Sequence, residues 1–268
     1  MQRLSKPLVF ILILLLGFAV LAGCGGSSTT TAPAASTTTG GTNGTLTYGM
    51  SGLYKPFNFV KNGQLIGFDV EIGKALAEKM GMTPNPVTNP WETIIEGLQA
   101  KKYDCIIGSM AITAERSKAV NFTDPYYRSG AQIFVSIDNT TVTGPDSLRG
   151  QNIGVVKAST FKDIAVTLTD PSKVVTYSSD VIALQDLLTG RTAAVICDAV
   201  VGYSAINADH LKIKPVGNPL YVDKMGIAVR KDEPALLANL NTALAAIIAD
   251  GTYNKISLKW LGRNILGQ

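Results

Sequence analysis

The sequence predicts an α/β fold of two lobes, and three observations support this prediction. Short apolar strands alternate with amphipathic helices from Thr45 onward, which is typical of parallel strands connected by helices. This pattern occurs in two successive sets. The chain of 268 residues is also long enough for two domains of ordinary size. Because ligands of open α/β sheets bind beyond the carboxyl ends of the strands, we expect functional residues directly after the strands.

The first set combines branched apolar strands with helices that have one apolar face. Asp69 is the predicted N-cap of the first helix and Gly81 its stop, since Asp accepts hydrogen bonds from free N–H groups and Gly tolerates positive φ. Thr113 is the predicted cap of a short helix that contains Arg116. The predicted strands are 45–50, 64–68, 105–108 and 132–137, and the longer helices are 69–80 and 91–101.

The second set repeats the alternation and ends in a helix pair. Asp250-Gly251 is the predicted turn within that pair, which extends over 234–261. The predicted strands are 152–157, 174–177, 193–197 and 225–230, and the other helices are 160–168, 181–189 and 199–208.

Composition argues against several functions. Lys and Arg total 24 against 20 Asp and Glu, which gives a net charge of +4. Because this excess is small and the sequence has no run of basic residues, nucleic acid is not an expected partner. Hydrophobic residues at 46% exclude a disordered chain. A single His argues against a His-rich metal site and a Ser-His-Asp triad. Three Cys exclude a disulfide scaffold and a four-Cys zinc site. We expect neither metal nor cofactor.

The N-terminus predicts an export signal. Arg3 and Lys6 precede an apolar run over 8–22, which is shorter than the ~20 residues that a membrane-spanning helix needs. The run ends in Leu-Ala-Gly-Cys, which resembles the lipobox of prokaryotic lipoproteins. That resemblance implies removal of residues 1–23 and lipidation of Cys24. A permanent anchor helix is the alternative interpretation.

A flexible linker is predicted to follow the lipidated cysteine. Residues 25–44 comprise only Gly, Ser, Thr, Ala, Pro and Asn, which cannot bury enough surface to become ordered. A coil of this length spans on the order of 25 Å. The segment 24–44 is therefore predicted to tether an extracytoplasmic protein to its membrane.

Candidate binding residues follow two strands of the first set. Tyr54 comes soon after the first strand and can present an aromatic face to a ligand, although the pattern alone favours a core position for both Tyr54 and Phe57. Ser109, Met110 and Ala111 follow a buried strand, where their backbone groups are free to bind a ligand.

Arg116 is the candidate anion-binding residue. An Arg in the first turn of a helix opposes the helix dipole by roughly 0.3–1 kcal/mol, which suggests that it faces an anion. Its planar guanidinium can hold a carboxylate with two hydrogen bonds. The alternative is a surface ion pair with Glu115 or Asp124.

The second set offers an anion site and an acid. Lys157 precedes Ser159 and Thr160, whose backbone N–H groups begin a helix and suit an anion, although ordinary helix capping explains them equally well. Asp198 follows the strand at 193–197 and suits an ammonium group, with capping again as the alternative.

These residues lie within a longer pattern of motifs. The chain resembles the type II extracytoplasmic solute-binding proteins for polar amino acids, the capture subunits of ABC importers. The resemblance covers essentially all of 45–268. The motifs are Pro56-Phe57, Gly67-Phe68-Asp69-Val70-Glu71, Trp91 through Leu98, Tyr103-Asp104, Ile112-Thr113-Ala114-Glu115-Arg116, Phe122-Thr123-Asp124-Pro125-Tyr126, Gly150 through Lys157, Leu188-Thr189-Gly190-Arg191 and Asp250-Gly251-Thr252-Tyr253.

The resemblance implies a fold and a division of the chain. The fold is the two-lobed type II periplasmic-binding-protein fold, with a ligand cleft between the lobes and two crossovers, here near 130–135 and 220–225. Lobe 1 is predicted over 45–133 plus 223–268, and lobe 2 over 134–222. The expected partners are an amino acid, an ABC permease and, through it, an ATPase subunit. A monomer is expected.

The resemblance also implies a role for each candidate. Tyr54 and Trp91 correspond to aromatics that sandwich the ligand, and Arg116 to the residue that binds the α-carboxylate. Thr160 corresponds to a backbone donor to that carboxylate, and Asp198 to the acceptor of the α-ammonium. Ser109 and Ala111 occupy positions that contact the α-ammonium or α-carboxylate. The full predicted set is Ser51, Tyr54, Trp91, Ser109, Met110, Ala111, Arg116, Lys157, Ser159, Thr160 and Asp198.

Departures from the family pattern bear on the ligand. Ala111 replaces the usual Ser or Thr, and Phe161 replaces a commonly polar residue. Ser51 stands where proteins for basic or amide side chains often have Asp. Together with Lys157, Ser51 favours a neutral or acidic polar amino acid over Arg or Lys.

An enzyme on the same fold is the alternative function. Cyclohexadienyl or arogenate dehydratases need a general acid in the pocket, for which Glu71 and Glu92 are the nearest candidates, although surface positions fit both better. A sensor domain is a weaker interpretation, because no spanning helix is predicted near Gln268. Cys105 and Cys197 fall in different predicted lobes, so no disulfide is expected.

Overall fold

A computed structural model describes residues 44–267. The predicted signal peptide, Cys24 and the linker lie outside these residues, apart from Gly44. The strands are β1 Thr45–Met50, β2 Leu53–Tyr54, β3 Asn58–Lys61, β4 Gln64–Ile66, β5 Thr83–Thr88, β6 Cys105–Ala111, β7 Val120–Phe122, β8 Tyr127–Ser136, β9 Ile153–Val156, β10 Val174–Tyr177, β11 Ala194–Asp198 and β12 Ile213–Arg230. The α-helices are α1 Phe68–Lys79, α2 Ile94–Gln99, α3 Arg116–Ala119, α4 Thr160–Leu168, α5 Asp180–Leu188, α6 Ala199–Asn207, α7 Pro234–Ala249 and α8 Thr252–Leu261.

Nine strands form one mixed sheet. Eight of them follow the order β10-β9-β11-β8-β12-β6-β1-β5, and β7 pairs with β12. At one end β1 is parallel to β5 and β6, and at the other end β9 is parallel to β10 and β11. A small antiparallel sheet, β2-β3-β4, follows β1. The predicted α/β class, with two sets of parallel strands, is confirmed.

Two long antiparallel strands join the parallel sets. β8 pairs with β11 through Ala131–Phe134, and β12 pairs with β6 and β7 through Met225–Arg230. The predicted crossovers near 130–135 and 220–225 fall within these two strands. The strands place the carboxyl ends of β1 and β6 opposite those of β9, β10 and β11.

Separate apolar clusters stabilise the two sets. Leu46, Ile72 and Leu244 belong to a cluster that joins β1 and β6 to α1, α7 and α8. Phe161 and Ile196 belong to a second cluster, which joins β9 and β11 to α4. No single helix within 44–267 is long and apolar enough to cross a membrane, and α7 and α8 reach that length only as a pair bent by 78°.

Three of the elements that differ from the prediction are β5, β6 and α1. β5 was not predicted, because Pro84 and Pro86 disfavour a strand, yet both lie on an edge strand, where the missing N–H of proline can face away from the sheet. β6 continues to Ala111, so residues 109–111 belong to the strand rather than to a loop. α1 begins at Phe68 with Gly67 as N-cap, and Asp69 points into the interior instead of capping the helix.

Candidate functional site

A cavity lies where the carboxyl ends of the two parallel sets meet. It encloses about 560 Å³, including its open mouth. Eight of the predicted residues line it: Ser51, Tyr54, Trp91, Ser109, Ala111, Arg116, Ser159 and Thr160. The remaining lining residues are Leu53, Gly108, Val156, Phe161, Ser178, Ser179, Asp180 and Met225. Both predicted lobes therefore contribute to one cavity.

Three predicted residues do not line the cavity. Met110 alternates with its neighbours along β6, so its side chain points to the opposite face and packs with Ile94 and Leu98. Lys157 is exposed, and its backbone N–H donates to Tyr177 at 2.9 Å. Asp198 is completely buried.

Arg116 is held at the cavity wall by both predicted lobes. Its Nη1 donates to Ala111 O at 3.0 Å, and its Nη2 donates to Ala158 O at 3.2 Å. Its guanidinium lies over the Trp91 ring, 5.5 Å from the centroid. Burial lowers the pKa of Arg116, but an Arg side chain remains charged. These two bonds use two of its five N–H donors, so further donors are available to an anion.

The surface ion pair considered for Arg116 is not observed. Glu115 pairs with Lys118 instead, and both side chains are exposed. Thr113 Oγ1 accepts a hydrogen bond from the Arg116 N–H at 3.1 Å, but the N-cap residue of α3 is Glu115, two residues after the predicted cap.

Ala158 links the two sides of the cavity through its carbonyl group. The same oxygen accepts from Trp91 Nε1 and from Arg116 Nη2, each at 3.2 Å. Ala158 has a φ of 52°, in the left-handed region that is unfavourable for residues with a Cβ. This backbone conformation accompanies the placement of a carbonyl group of predicted lobe 2 against two side chains of predicted lobe 1.

Asp198 both caps a helix and retains an unused carboxylate oxygen. Its Oδ1 accepts from the Val200 N–H and from Ser129 Oγ, each at 2.7 Å. Its Oδ2 is buried without a hydrogen-bond partner. Burial raises the pKa of Asp198 to about 6. The capping role considered in the sequence is therefore observed, and one oxygen is still free to accept from an ammonium group.

Asp180 is a lining residue that the sequence analysis did not identify. It begins α5 directly after Ser179, whose hydroxyl caps the helix by accepting from the Ile182 N–H at 3.3 Å. Asp180 is only 3% exposed, and its Oδ1 has no hydrogen-bond partner. Burial, together with the nearby charge of Asp198, raises the pKa of Asp180 to about 7. Its position after β10 is the signal that could have identified it.

A buried network supports the lobe 1 side of the cavity. The Asp69 carboxylate accepts from Asn58 Nδ2 at 2.7 Å, Ser109 Oγ at 2.8 Å and Tyr126 Oη at 2.7 Å. Ser51 Oγ donates to Asn58 Oδ1 at 3.0 Å. Burial raises the pKa of Asp69 to about 6. The network fixes the positions of Ser51 and Ser109, which both line the cavity.

Tyr54 is both part of an aromatic stack and a cavity wall. Its ring stacks on Phe57 at 5.2 Å between centroids, and Phe57 stacks on Tyr127 at 5.0 Å. Phe57 is fully buried, whereas Tyr54 is half-buried and faces the cavity. Burial raises the pKa of Tyr54, so its hydroxyl stays neutral.

Within residues 44–267, no group of three or more His, Cys, Asp or Glu side chains could hold a metal ion. Cys105 and Cys197 are buried free thiols on β6 and β11. The lining of the cavity therefore offers the Arg116 guanidinium, the buried Asp180 carboxyl group, hydroxyl groups and aromatic faces.

Comparison with known proteins identifies the family to which the chain belongs. The family model for bacterial extracellular solute-binding proteins, family 3, matches residues 46–263. The ABC transporter arginine-binding protein 1 of Escherichia coli is 38% identical over 225 residues, which cover 80% of this chain and 90% of that protein.

Solved structures agree with the sequence relatives. An ancestral arginine-binding protein bound to glutamine is similar at a TM-score of 0.78 and 36% identity, over 83% of this chain and all of that one. An ancestral amino-acid-binding protein, a precursor of cyclohexadienyl dehydratase, is similar at a TM-score of 0.74 and 34% identity, over 81% and 95% of the two chains. The predicted type II periplasmic-binding-protein fold is confirmed.

Proposed function

We propose that this chain, which belongs to the bacterial extracellular solute-binding proteins of family 3, captures a polar L-amino acid and delivers it to an ABC permease. Its relatives are amino-acid-binding proteins of ABC transporters, and the family is extracytoplasmic. The amino acid is bound in the cavity between the predicted lobes. The N-terminal lipobox supports a further proposal, that Cys24 anchors a monomeric protein to the membrane.

The observation that carries this proposal is the opposed charge on the two sides of the cavity. Arg116 lies on the lobe 1 side, with guanidinium donors to spare. Asp198 does not itself line the cavity, but it belongs to predicted lobe 2, acts on the lining residues Tyr54 and Asp180, and has a buried oxygen without a partner. An α-amino acid carries a carboxylate and an ammonium group on the same carbon atom. It satisfies both protein groups at once, which a simple anion or cation does not.

Thr160 supports the same orientation of the ligand. It is the first residue of α4, and its backbone N–H lies at the positive end of the helix dipole. Thr160 Oγ1 donates to Asp223 Oδ2 at 2.9 Å, which holds the start of the helix against β12. The α-carboxylate then lies between Arg116 and this helix N-terminus.

Transport requires that ligand binding favours a closed cleft. Several contacts already join the predicted lobes: the Ala158 carbonyl with Trp91 and Arg116, and an ion pair between Lys55 and Asp209. A ligand that contacts both sides binds the closed state more tightly and so shifts the equilibrium toward it. A shift from 1:99 to 99:1 needs about 5.5 kcal/mol of differential binding, which charge-assisted contacts in a water-poor cleft can supply.

The sequence-based preference for a neutral or acidic side chain rested on Ser51 and Lys157. Ser51 lines the cavity, but Lys157 is exposed outside the lining. Asp180, a buried acid, lines the cavity instead. These positions remove one basis for that preference and favour a side chain that donates hydrogen bonds.

The enzyme alternative has one supporting observation and one against it. Asp180, whose pKa is raised to about 7 by burial, could act as a general acid. The acids considered from the sequence do not line the cavity, because Glu71 pairs with Lys259 at the surface and Glu92 is exposed. Incubation with prephenate or arogenate tests the enzyme directly, since a dehydratase forms an aromatic product that absorbs in the ultraviolet.

A thermal-shift screen against the twenty L-amino acids tests amino-acid capture. A ligand at 100 times its Kd stabilises the folded protein by about 2.7 kcal/mol, which corresponds to a Tm increase of about 5–11 °C for a domain of this size. We expect an increase of this size with at least one amino acid and no product from prephenate or arogenate. No shift with any of the twenty, or catalytic turnover, would contradict the proposal.

A further inference from the structure

We infer that Asp180 determines the specificity of the cavity and selects an L-amino acid whose side chain carries a positive charge. This inference rests on the proposed function, because it assigns the side chain of the amino acid that the cavity binds. It reverses the preference drawn from Ser51 and Lys157.

The burial of Asp180 is the first argument. Its side chain lines the cavity, is 3% exposed, and leaves Oδ1 without a hydrogen-bond partner. An unpaired buried carboxylate is strongly destabilising unless a cation or a hydrogen-bond donor reaches it. Its neighbour Asp198 has an unpartnered oxygen of its own. The two acids repel each other when both are ionised, and no hydrogen bond joins their unpartnered oxygens.

The position of Asp180 within the cavity is the second argument. β2, which includes Tyr54, packs against α5, so Asp180 lies toward Tyr54. The carboxylates that act on the charge of Arg116 are those of Asp223 and Asp163, and not that of Asp180. A ligand whose α-carboxylate is bound by Arg116 thus has room to extend its side chain from Arg116 toward Asp180.

The charges of the cavity give the third argument. Arg116 pairs with the α-carboxylate and Asp198 with the α-ammonium, which leaves Asp180 without a partner in any zwitterion. A side-chain guanidinium or ammonium group supplies that partner. An acidic side chain would instead bring a third carboxylate close to Asp180 and Asp198, which like-charge repulsion disfavours.

The walls of the cavity suit the stem of such a side chain. Tyr54, Trp91 and Phe161 present aromatic surface, on which the methylene groups of Arg or Lys pack well. Aromatic faces also attract cations, and a guanidinium stacks on them. Phe161, which is 7% exposed, adds an apolar surface to the cavity lining.

Titration calorimetry with L-arginine and L-citrulline tests the inference. L-citrulline has the same length and shape as L-arginine but a neutral ureido group. We expect the unaltered protein to bind L-arginine about 100-fold more tightly than L-citrulline. Asp180→Asn should weaken the affinity for L-arginine by about 100-fold and change the affinity for L-citrulline by less than about threefold. Asp186→Asn is the matched control, because Asp186 lies on the same helix but pairs with Arg191, and it should leave both affinities unchanged.

Each of the other outcomes contradicts the inference about Asp180, and one of them also contradicts the proposed function. If Asp180→Asn lost affinity for L-arginine and L-citrulline equally, Asp180 would act on the α-ammonium and α-carboxylate groups that both ligands share, or on the fold. That result would overturn the inference. Binding of L-glutamine, L-glutamate or L-citrulline that is as tight as or tighter than that of L-arginine would overturn the inference and leave the proposed function standing. Binding of no amino acid by the unaltered protein would overturn both.

The melting temperature of the ligand-free Asp180→Asn variant tests whether the variant folds. Asp180 has a pKa of about 7 in the folded protein, well above that of an exposed aspartate, and it is faced by Tyr54, Cys197 and Asp198. A carboxyl group with a raised folded-state pKa stabilises the fold at low pH, and this contribution is lost as pH rises through about 7. Asp180→Asn should therefore raise the Tm of the ligand-free protein at pH 8, and the increase should shrink toward pH 4. A lowered Tm at pH 8 would show that the carboxylate supports the fold, which contradicts a ligand-binding role.

Discussion

Replacement of Arg116 by Ala is expected to weaken amino-acid binding by on the order of 100- to 1000-fold, because removal of one partner from a desolvated, hydrogen-bonded charge pair costs about 2–5 kcal/mol. The loss applies to every amino acid, since the α-carboxylate is common to all of them. The variant also loses the hydrogen bonds to Ala111 O and Ala158 O, so part of the closed-state contact disappears as well. Titration calorimetry on the ligand-free protein measures the effect.

Two further variants separate charge from geometry. Arg116→Lys keeps the charge but cannot form two parallel hydrogen bonds, so its affinity should lie between those of Arg116→Ala and the unaltered protein. Lys118→Ala, on the same short helix, removes an exposed cation that pairs with Glu115 and should leave affinity unchanged. Circular dichroism checks that the fold persists. Unchanged affinity in Arg116→Ala would contradict the assigned role.

Replacement of Asp198 by Asn is expected to weaken binding by on the order of 100-fold, with little loss of stability. Asn is as good an N-cap as Asp, so it can still accept from the Val200 N–H and begin α6. The variant lacks the negative charge that the α-ammonium needs. It also removes a buried carboxyl group whose pKa burial raises to about 6, so the ligand-free fold should not be weakened near neutral pH.

A matched capping residue provides the control for Asp198→Asn. Asp170 also caps a helical turn, by accepting from the Ser172 N–H at 2.8 Å, but it is exposed and does not line the cavity. Asp170→Asn should not alter affinity. If Asp198→Asn bound amino acids as tightly as the unaltered protein, the ammonium site would have to be sought elsewhere in the cavity.

The fold was largely predictable because hydrophobic periodicity decides most of its elements. The helix at 160–168 and the strand at 174–177 occur with the predicted bounds. β5 was missed because Pro84 and Pro86 disfavour strands in general, and only its position at the sheet edge removes that penalty. β12 was predicted over 225–230 but begins at Ile213, since pairing with β8 extends it.

The candidate site was partly predictable for a different reason. Residues that follow parallel strands converge on one cavity, which brings Arg116 and Thr160 together as expected from chain order. Chain order does not show which side chain turns inward: Met110 faces the opposite side of β6, and Lys157 faces solvent. Asp180 looks like an ordinary residue of a capped helix start, and only its burial distinguishes it.

The central claim is that one amino acid bridges Arg116 and Asp198 from opposite sides of the cavity. A crystal structure of the protein grown with L-arginine tests it most directly. We expect the α-carboxylate within hydrogen-bond distance of the Arg116 guanidinium and the Thr160 N–H, and the α-ammonium on Asp198 Oδ2. An amino acid bound with its α-ammonium away from Asp198, or bound outside this cavity, would contradict the account.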